Sequence, residues 1–120
     1  MRPVHFEILS KDPERSATFY REALGWEVNS WPGGEQSYWL VTTGPAEQPG
    51  INGGIMGQHL PQAVINTIEV PVLAEAIEKI EAAGGKVVHG PSEVSGVGIH
   101  AYCSDPDGAI FGIMEPSPQE

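Results

Sequence analysis

The sequence predicts an α+β protein built from two tandem βαβββ units. Two observations carry this: the chain repeats itself at a shift of 60 residues, and both copies present the same order of local signals. A third bounds it, since 120 residues with 40% apolar and 8% aromatic content suffice for one domain with a core and fall short of two independent ones.

The repeat shows by inspection. A shift of 60 lays Val4-His5-Phe6-Glu7-Ile8 over Val64-Ile65-Asn66-Thr67-Ile68, and Ala23-Leu24-Gly25-Trp26-Glu27-Val28 over Ala83-Gly84-Gly85-Lys86-Val87-Val88. Gly53-Gly54-Ile55-Met56 resembles Phe111-Gly112-Ile113-Met114 at a shift of 58, so one loop changed length while the order of elements did not. The chain reads as one domain over residues 1–120, with unit one over about 1–58 and unit two over about 62–116.

Each element has a local cause. Val4 to Leu9 is an apolar strand, and Asp12 then offers an N-cap with Pro13 at the first helical position, where a missing N–H costs nothing. The first helix carries Ala17, Phe19, Tyr20, Ala23 and Leu24 near helical spacing and ends at Gly25, which takes the left-handed conformation of a helix terminus without strain. In the second copy Pro71 starts the helix. Leu73, Ala76, Ile77, Ile80 and Ala83 form its inner stripe, and Gly84-Gly85 end it. Phe19, Tyr20, Leu73, Ile77 and Ile80 are expected in the core. Three short strands follow each helix: Trp26 to Ser30, Ser37 to Thr42 and Ile51 to Met56 in the first copy, then Lys86 to His89, Gly98 to Cys103 and Ala109 to Met114 in the second. Turn residues separate them, notably Pro32-Gly33-Gly34 and Asp105-Pro106-Asp107-Gly108.

Charge and motif content narrow the function classes. Six Lys+Arg against 16 Asp+Glu leave a formal charge of −10, and the few cations are scattered, so neither nucleic acid nor an anionic membrane finds the positive patch it needs. No apolar run approaches the roughly 20 residues that span a bilayer. One cysteine, Cys103, excludes an intrachain disulfide and a multi-cysteine metal site, and is expected to behave as a small apolar residue. The N-terminal residues enter a strand pattern without a secretory signal, so a cytoplasmic protein is expected. Phosphate loops, nucleotide fingerprints and nucleophile elbows are missing from the sequence.

The duplicated unit, His-Phe-Glu-Ile at 5–8, Asp-Pro-Glu-Arg-Ser-Ala-Thr-Phe-Tyr at 12–20, Leu-Gly-Trp at 24–26 and Asp-Pro-Asp-Gly at 105–108 together resemble the vicinal oxygen chelate superfamily. That group contains glyoxalase I (lactoylglutathione lyase), the extradiol dioxygenases and the bleomycin- and fosfomycin-resistance proteins, and the chain looks most like its glyoxalase-related branch. The resemblance implies that each unit curls into half a barrel facing a cleft, and that the protein is a homodimer. It further implies a divalent metal ligated from the first and last strands of both units, a Lewis acid for a substrate bound through two adjacent oxygens. The positions so implied are His5, Ile65, Gly54 and Gly112. Only His5 carries a donor atom, so neither a retained metal nor another cofactor is expected. Asn66 and Glu115 carry donors nearby, but an odd separation from those positions turns them to the opposite strand face.

Alternation places His5, Glu7 and Leu9 on one face of the first strand, which the resemblance makes the cleft face. His5 and Glu7 are the candidate catalytic pair, with the carboxylate expected to raise the imidazole pKa. Gly54 and Gly112 have two readings: space that admits a bulkier ligand, or close approach of neighbouring chain. Trp31 stands beside a loop and is a candidate ligand contact. Tyr38, His100 and Tyr102 fall on strands whose facing the pattern leaves open, and His59 and His89 read as surface residues. Two function classes follow for a small oxygenated or aromatic ligand: lyase- or isomerase-type proton transfer without the usual metal, or non-catalytic sequestration as in bleomycin-resistance proteins. A metal-dependent lactoylglutathione lyase or dioxygenase needs ligands that the implied positions do not supply.

Overall fold

Strand alternation and two amphipathic helices account for the architecture. In the computed structural model, which describes residues 1–31 and 38–118, the elements are β1 (Arg2–Ser10), α1 (Pro13–Leu24), β2 (Glu27–Ser30), β3 (Tyr38–Thr42), β4 (Asn52–Gly57), β5 (Val64–Glu69), α2 (Leu73–Ala82), β6 (Lys86–Val94), β7 (Gly98–Ser104) and β8 (Ile110–Pro116). This is βαβββ twice, an α+β fold, as the repeat predicts. The expected turn at 32–34 and the start of a strand at Ser37 lie outside the described residues.

The chain divides into two compact units, His5–Ile65 and Met1–Val4 with Asn66–Glu120. In the first, the strands run in the order β2-β3-β4-β1, with β1 parallel to β4 and the rest antiparallel. In the second the order is β5-β8-β7-β6, with β5 parallel to β8. Pairing registers carry the repeat into space: Glu7 lies opposite Gly54, and Thr67 opposite Gly112.

Each core sits between a helix and one face of its strands. In the first unit Ala17, Val28, Val41 and Ile55 are buried together, with Phe6, Ile8, Tyr20, Trp26 and Trp39 packed against them. Tyr20 stacks on Trp26 at 5.1 Å between ring centroids. The Arg21 guanidinium donates to the Val28 carbonyl while lying 5.6 Å from the Trp39 ring centre, so its stem and charge tie α1 to the next strands. The second core gathers Val70, Leu73, Ala76, Ala101, Cys103 and Ile113. Burial first and Glu81 second push the Cys103 thiol pKa up, keeping it protonated.

Three sequence expectations change. Phe19 is 57% exposed: two residues from buried Ala17 is about 200° around a helix, the far side from the core. β6 runs on past the expected end at His89, through Gly90-Pro91 to Val94, with register shifts between Val87 and His89 and between His89 and Ser92, so an irregular strand absorbs residues left between two strands. The second helix begins at Leu73 with Val72 as its N-cap, not at Pro71.

That last difference has a structural remedy. Asp12 caps α1 by accepting from the Arg15 N–H, whereas Val72 has no side chain able to do so. Glu115, on β8, reaches the open helix end and accepts from the Leu73 N–H at 2.8 Å, placing it on the helix-facing side as its parity requires. Glu115→Ala is predicted to lower unfolding free energy by about 1 kcal/mol, read as a lower midpoint in urea with an unchanged slope.

Candidate functional site

The face of the first unit turned away from α1 carries the polar side chains. β1 alternates here as expected: Phe6 and Ile8 join the core, while His5 is half-buried and Glu7 and Leu9 are buried. β3 supplies the residue that the sequence left unassigned. Tyr38 pairs with Met56, and Leu40 with Gly54, so Tyr38 stands on the Glu7 face.

Its hydroxyl lies between the two expected catalytic residues. His5 Nε2 and Tyr38 Oη share a hydrogen bond of 3.0 Å, and Tyr38 Oη donates to Glu7 Oε2 over a longer 3.5 Å. The site is therefore a row of imidazole, phenol and carboxylate. The register of the β3–β4 hairpin is the signal that would have found Tyr38.

Gly54 makes this row sterically feasible. A Cβ on Gly54 would collide with the Tyr38 hydroxyl oxygen, so the ring crosses the strand where the side chain is missing. Of the two readings of Gly54, close approach describes the geometry; the vacated space is filled by Tyr38. Gly112 behaves alike in the second unit, where a Cβ would lie 2.8 Å from His100 Nε2 and 3.1 Å from Thr67 Oγ1. His100 pairs with Met114 as Tyr38 does with Met56. The two units thus place a ring over a glycine beside a buried polar residue, Glu7 in one and Thr67 in the other. His100 meets Tyr102 edge to face at 4.5 Å.

Trp31 packs edge-on against Tyr38 at 5.7 Å between centroids, and its backbone N–H donates to the Tyr38 carbonyl at 2.8 Å. The indole is 36% exposed, a wall beside Tyr38, the middle member of the row. His59 and His89 are exposed; His59 Nδ1 pairs locally with the Gly57 carbonyl oxygen.

Electrostatics correct one expectation. The His5 pKa is lowered from its ordinary 6.5: loss of hydration on burial outweighs the opposing pull of Glu7. The imidazole is thus neutral at neutral pH, a base rather than a cation. The Tyr38 pKa is pushed up by burial first, then by the charge of Glu7 and the hydrogen bond to it, so the phenol keeps its proton.

The donor set does not fit the divalent ion implied by the resemblance. His5 is committed to Tyr38, the strand position at Gly54 is covered by a phenol, Ile65 is fully buried hydrocarbon, and Gly112 is covered by His100 and Thr67. No three His, Cys, Asp or Glu side chains converge among the described residues.

Known proteins resemble the chain throughout its length. The family model for the bleomycin resistance protein-like N-terminal domain matches residues 2–44. The putative glyoxylase CFP32 of Mycobacterium bovis is 33% identical over 119 residues, 95% of this chain and 44% of that protein. The anthracycline biosynthesis protein DnrV of Streptomyces peucetius is 30% identical over 134 residues, 98% of this chain and 48% of the relative. The chain thus spans about half the length of these curated relatives. Among solved structures, methylmalonyl-CoA epimerase from Mycobacterium tuberculosis matches in fold with a TM-score of 0.70 at 13% identity, over 97% of this chain and 88% of that one.

Two predictions test this site. Gly54→Ala should displace the Tyr38 ring and destabilise the protein by about 1–3 kcal/mol through overpacking, visible as changed Tyr38 ring resonances and a lower urea midpoint. Because the folded state disfavours charged His5, its contribution to stability is complete above pH 6.5 and declines as pH falls toward the lowered folded value. An NMR titration should find the His5 midpoint below 6.5, and Glu7→Gln should lower it further by removing the opposing charge.

Proposed function

We propose that this chain, a member of the vicinal oxygen chelate (glyoxalase-like) superfamily, catalyses proton transfer on a small oxygenated or aromatic metabolite, using His5 and Glu7 rather than a tightly held metal. The observation that carries the reading is the hydrogen-bonded row of His5, Tyr38 and Glu7. A half-buried neutral imidazole can remove a proton from carbon or oxygen at neutral pH, and a nearby carboxylate compensates the positive charge that the ring would gain. The reaction class is isomerase- or lyase-like: a proton leaves an acidic C–H next to a carbonyl, and the resulting anion is reprotonated or expels a leaving group. Trp31, edge-on to Tyr38, offers apolar surface to an aromatic part of the ligand.

A second reading has its own support. The match of residues 2–44 to a bleomycin resistance protein-like model favours a protein that holds its ligand without transforming it. Fold likeness to an epimerase cannot choose, since chemistry belongs to the site. A homodimer, which the resemblance implies, belongs to the same proposal, and native mass spectrometry would read subunit number together with any co-purified ligand.

The deciding experiment is solvent deuterium uptake. Small α-hydroxy and α-keto acids, thioesters and aromatic ketones are incubated with the protein in D₂O, and exchange at the acidic carbon is followed by mass spectrometry. His5→Ala should slow exchange by roughly 10²–10⁴-fold while ligand binding, followed by calorimetry, persists. A ligand bound equally well by both proteins, with no exchange in either, would establish sequestration instead.

A further inference from the structure

The row of three side chains has a direction, and that direction assigns a role to Tyr38. A phenol carries one proton and a carboxylate only accepts. When Tyr38 Oη donates to Glu7 Oε2, it has no proton left for His5, so the shared bond at 3.0 Å must be donated by His5 Nε2–H. The imidazole is then the Nε2–H tautomer, with an unprotonated Nδ1. That nitrogen has no hydrogen-bond partner among the described residues.

We propose that Tyr38 is a proton relay: it joins His5 to Glu7 so that a proton taken up at His5 Nδ1 ends on the Glu7 carboxylate. This rests on the proton-transfer reading above and extends it. The transfer balances as follows. The ligand's C–H electron pair stays on the ligand as an enolate, and its proton bonds to Nδ1. The Nε2–H proton passes to Tyr38 Oη, and the Tyr38 proton passes to Glu7 Oε2. His5 ends neutral in the opposite tautomer, Tyr38 ends neutral, and Glu7 becomes a carboxylic acid. Reversing the three shifts returns the proton to the ligand.

Charge is the physical gain. Acting alone, His5 would hold a cation in a half-buried position where burial already disfavours one. With the relay, one negative charge moves from Glu7 to the ligand and the imidazole never keeps a positive charge. The 3.5 Å spacing at the Glu7 end is the loose joint, and it must shorten during transfer, as catalytic hydrogen bonds commonly do when a ligand binds. Gly54 sets the relay's position, because a side chain there would occupy the hydroxyl's place. Trp31 packs edge-on against the same ring. Tyr38 is in this sense a positioning residue that acts through His5 and does not touch the ligand.

The test is the tautomer of His5, which requires no ligand and so separates failure of the relay from failure of the proposed reaction. Long-range ¹H–¹⁵N spectra of the intact protein, recorded well above the His5 titration, should show the Nε2–H form. In Tyr38→Phe the ring should relax to a mixture of both tautomers. In Glu7→Ala the phenol loses its acceptor and should donate to Nε2 instead, driving His5 to the Nδ1–H form. These graded shifts, partial in Tyr38→Phe and complete in Glu7→Ala, are specific to a directed row; a packing role for Tyr38 would produce neither. An Nδ1–H tautomer in the unaltered protein, or a tautomer insensitive to both substitutions in folded variants, overturns the relay. Where the deuterium assay has identified an exchanging substrate, Tyr38→Phe should reduce exchange on the order of 10²-fold with binding retained, and unchanged exchange would likewise overturn it.

Discussion

Because successive side chains on a strand point to opposite faces, each unit of this protein is divided into a dry side and a polar side, and everything else depends on that division. On the dry side Phe6, Ile8, Val41 and Ile55 pack against α1; on the other stand His5, Glu7, Tyr38 and Gly54. A slip of one residue would bury His5 and Glu7 under the helix and expose Phe6 and Ile8. The hydrophobic core therefore holds the site's register as firmly as it holds the fold, although no core residue takes part in the site.

Within that frame, missing side chains decide more than present ones. Gly54 and Gly112 lie opposite Glu7 and Thr67 on parallel neighbours, and each lets a ring from the adjacent antiparallel strand pass over the backbone. In one unit the ring is Tyr38, joining a carboxylate to an imidazole; in the other it is His100, beside a threonine. The duplication preserved a steric arrangement while its chemistry diverged. The first unit sets a carboxylate, a phenol and an imidazole in one row, whereas the second offers a hydroxyl, an imidazole and the buried phenol of Tyr102.

The helix ends show the same divergence. α1 has its cap in the preceding residues, Asp12 followed by Pro13. α2 has Val72 there and borrows a carboxylate from β8, more than 40 residues away in sequence. Glu115 matches the chemistry of a metal ligand and the parity of a helix contact, and parity prevails because the backbone sets where a side chain can go before its chemistry matters.

Much of the fold was determined by local sequence: Asp12-Pro13 starting a helix, Gly25 ending it, and period-two runs marking strands act within a few residues and need no tertiary information. The self-similarity at a shift of 60 extended that to the order of elements, and alternation put His5 and Glu7 on one face. Three matters were decided only by tertiary structure. The position of Tyr38 depends on the β3–β4 register, which pairs it with Met56, 18 residues further on. The filling of the space at Gly54 depends on which ring crosses the strand there. The sign of the His5 shift depends on how much water burial removes, a sum over the whole surroundings that a neighbouring carboxylate in the sequence cannot report.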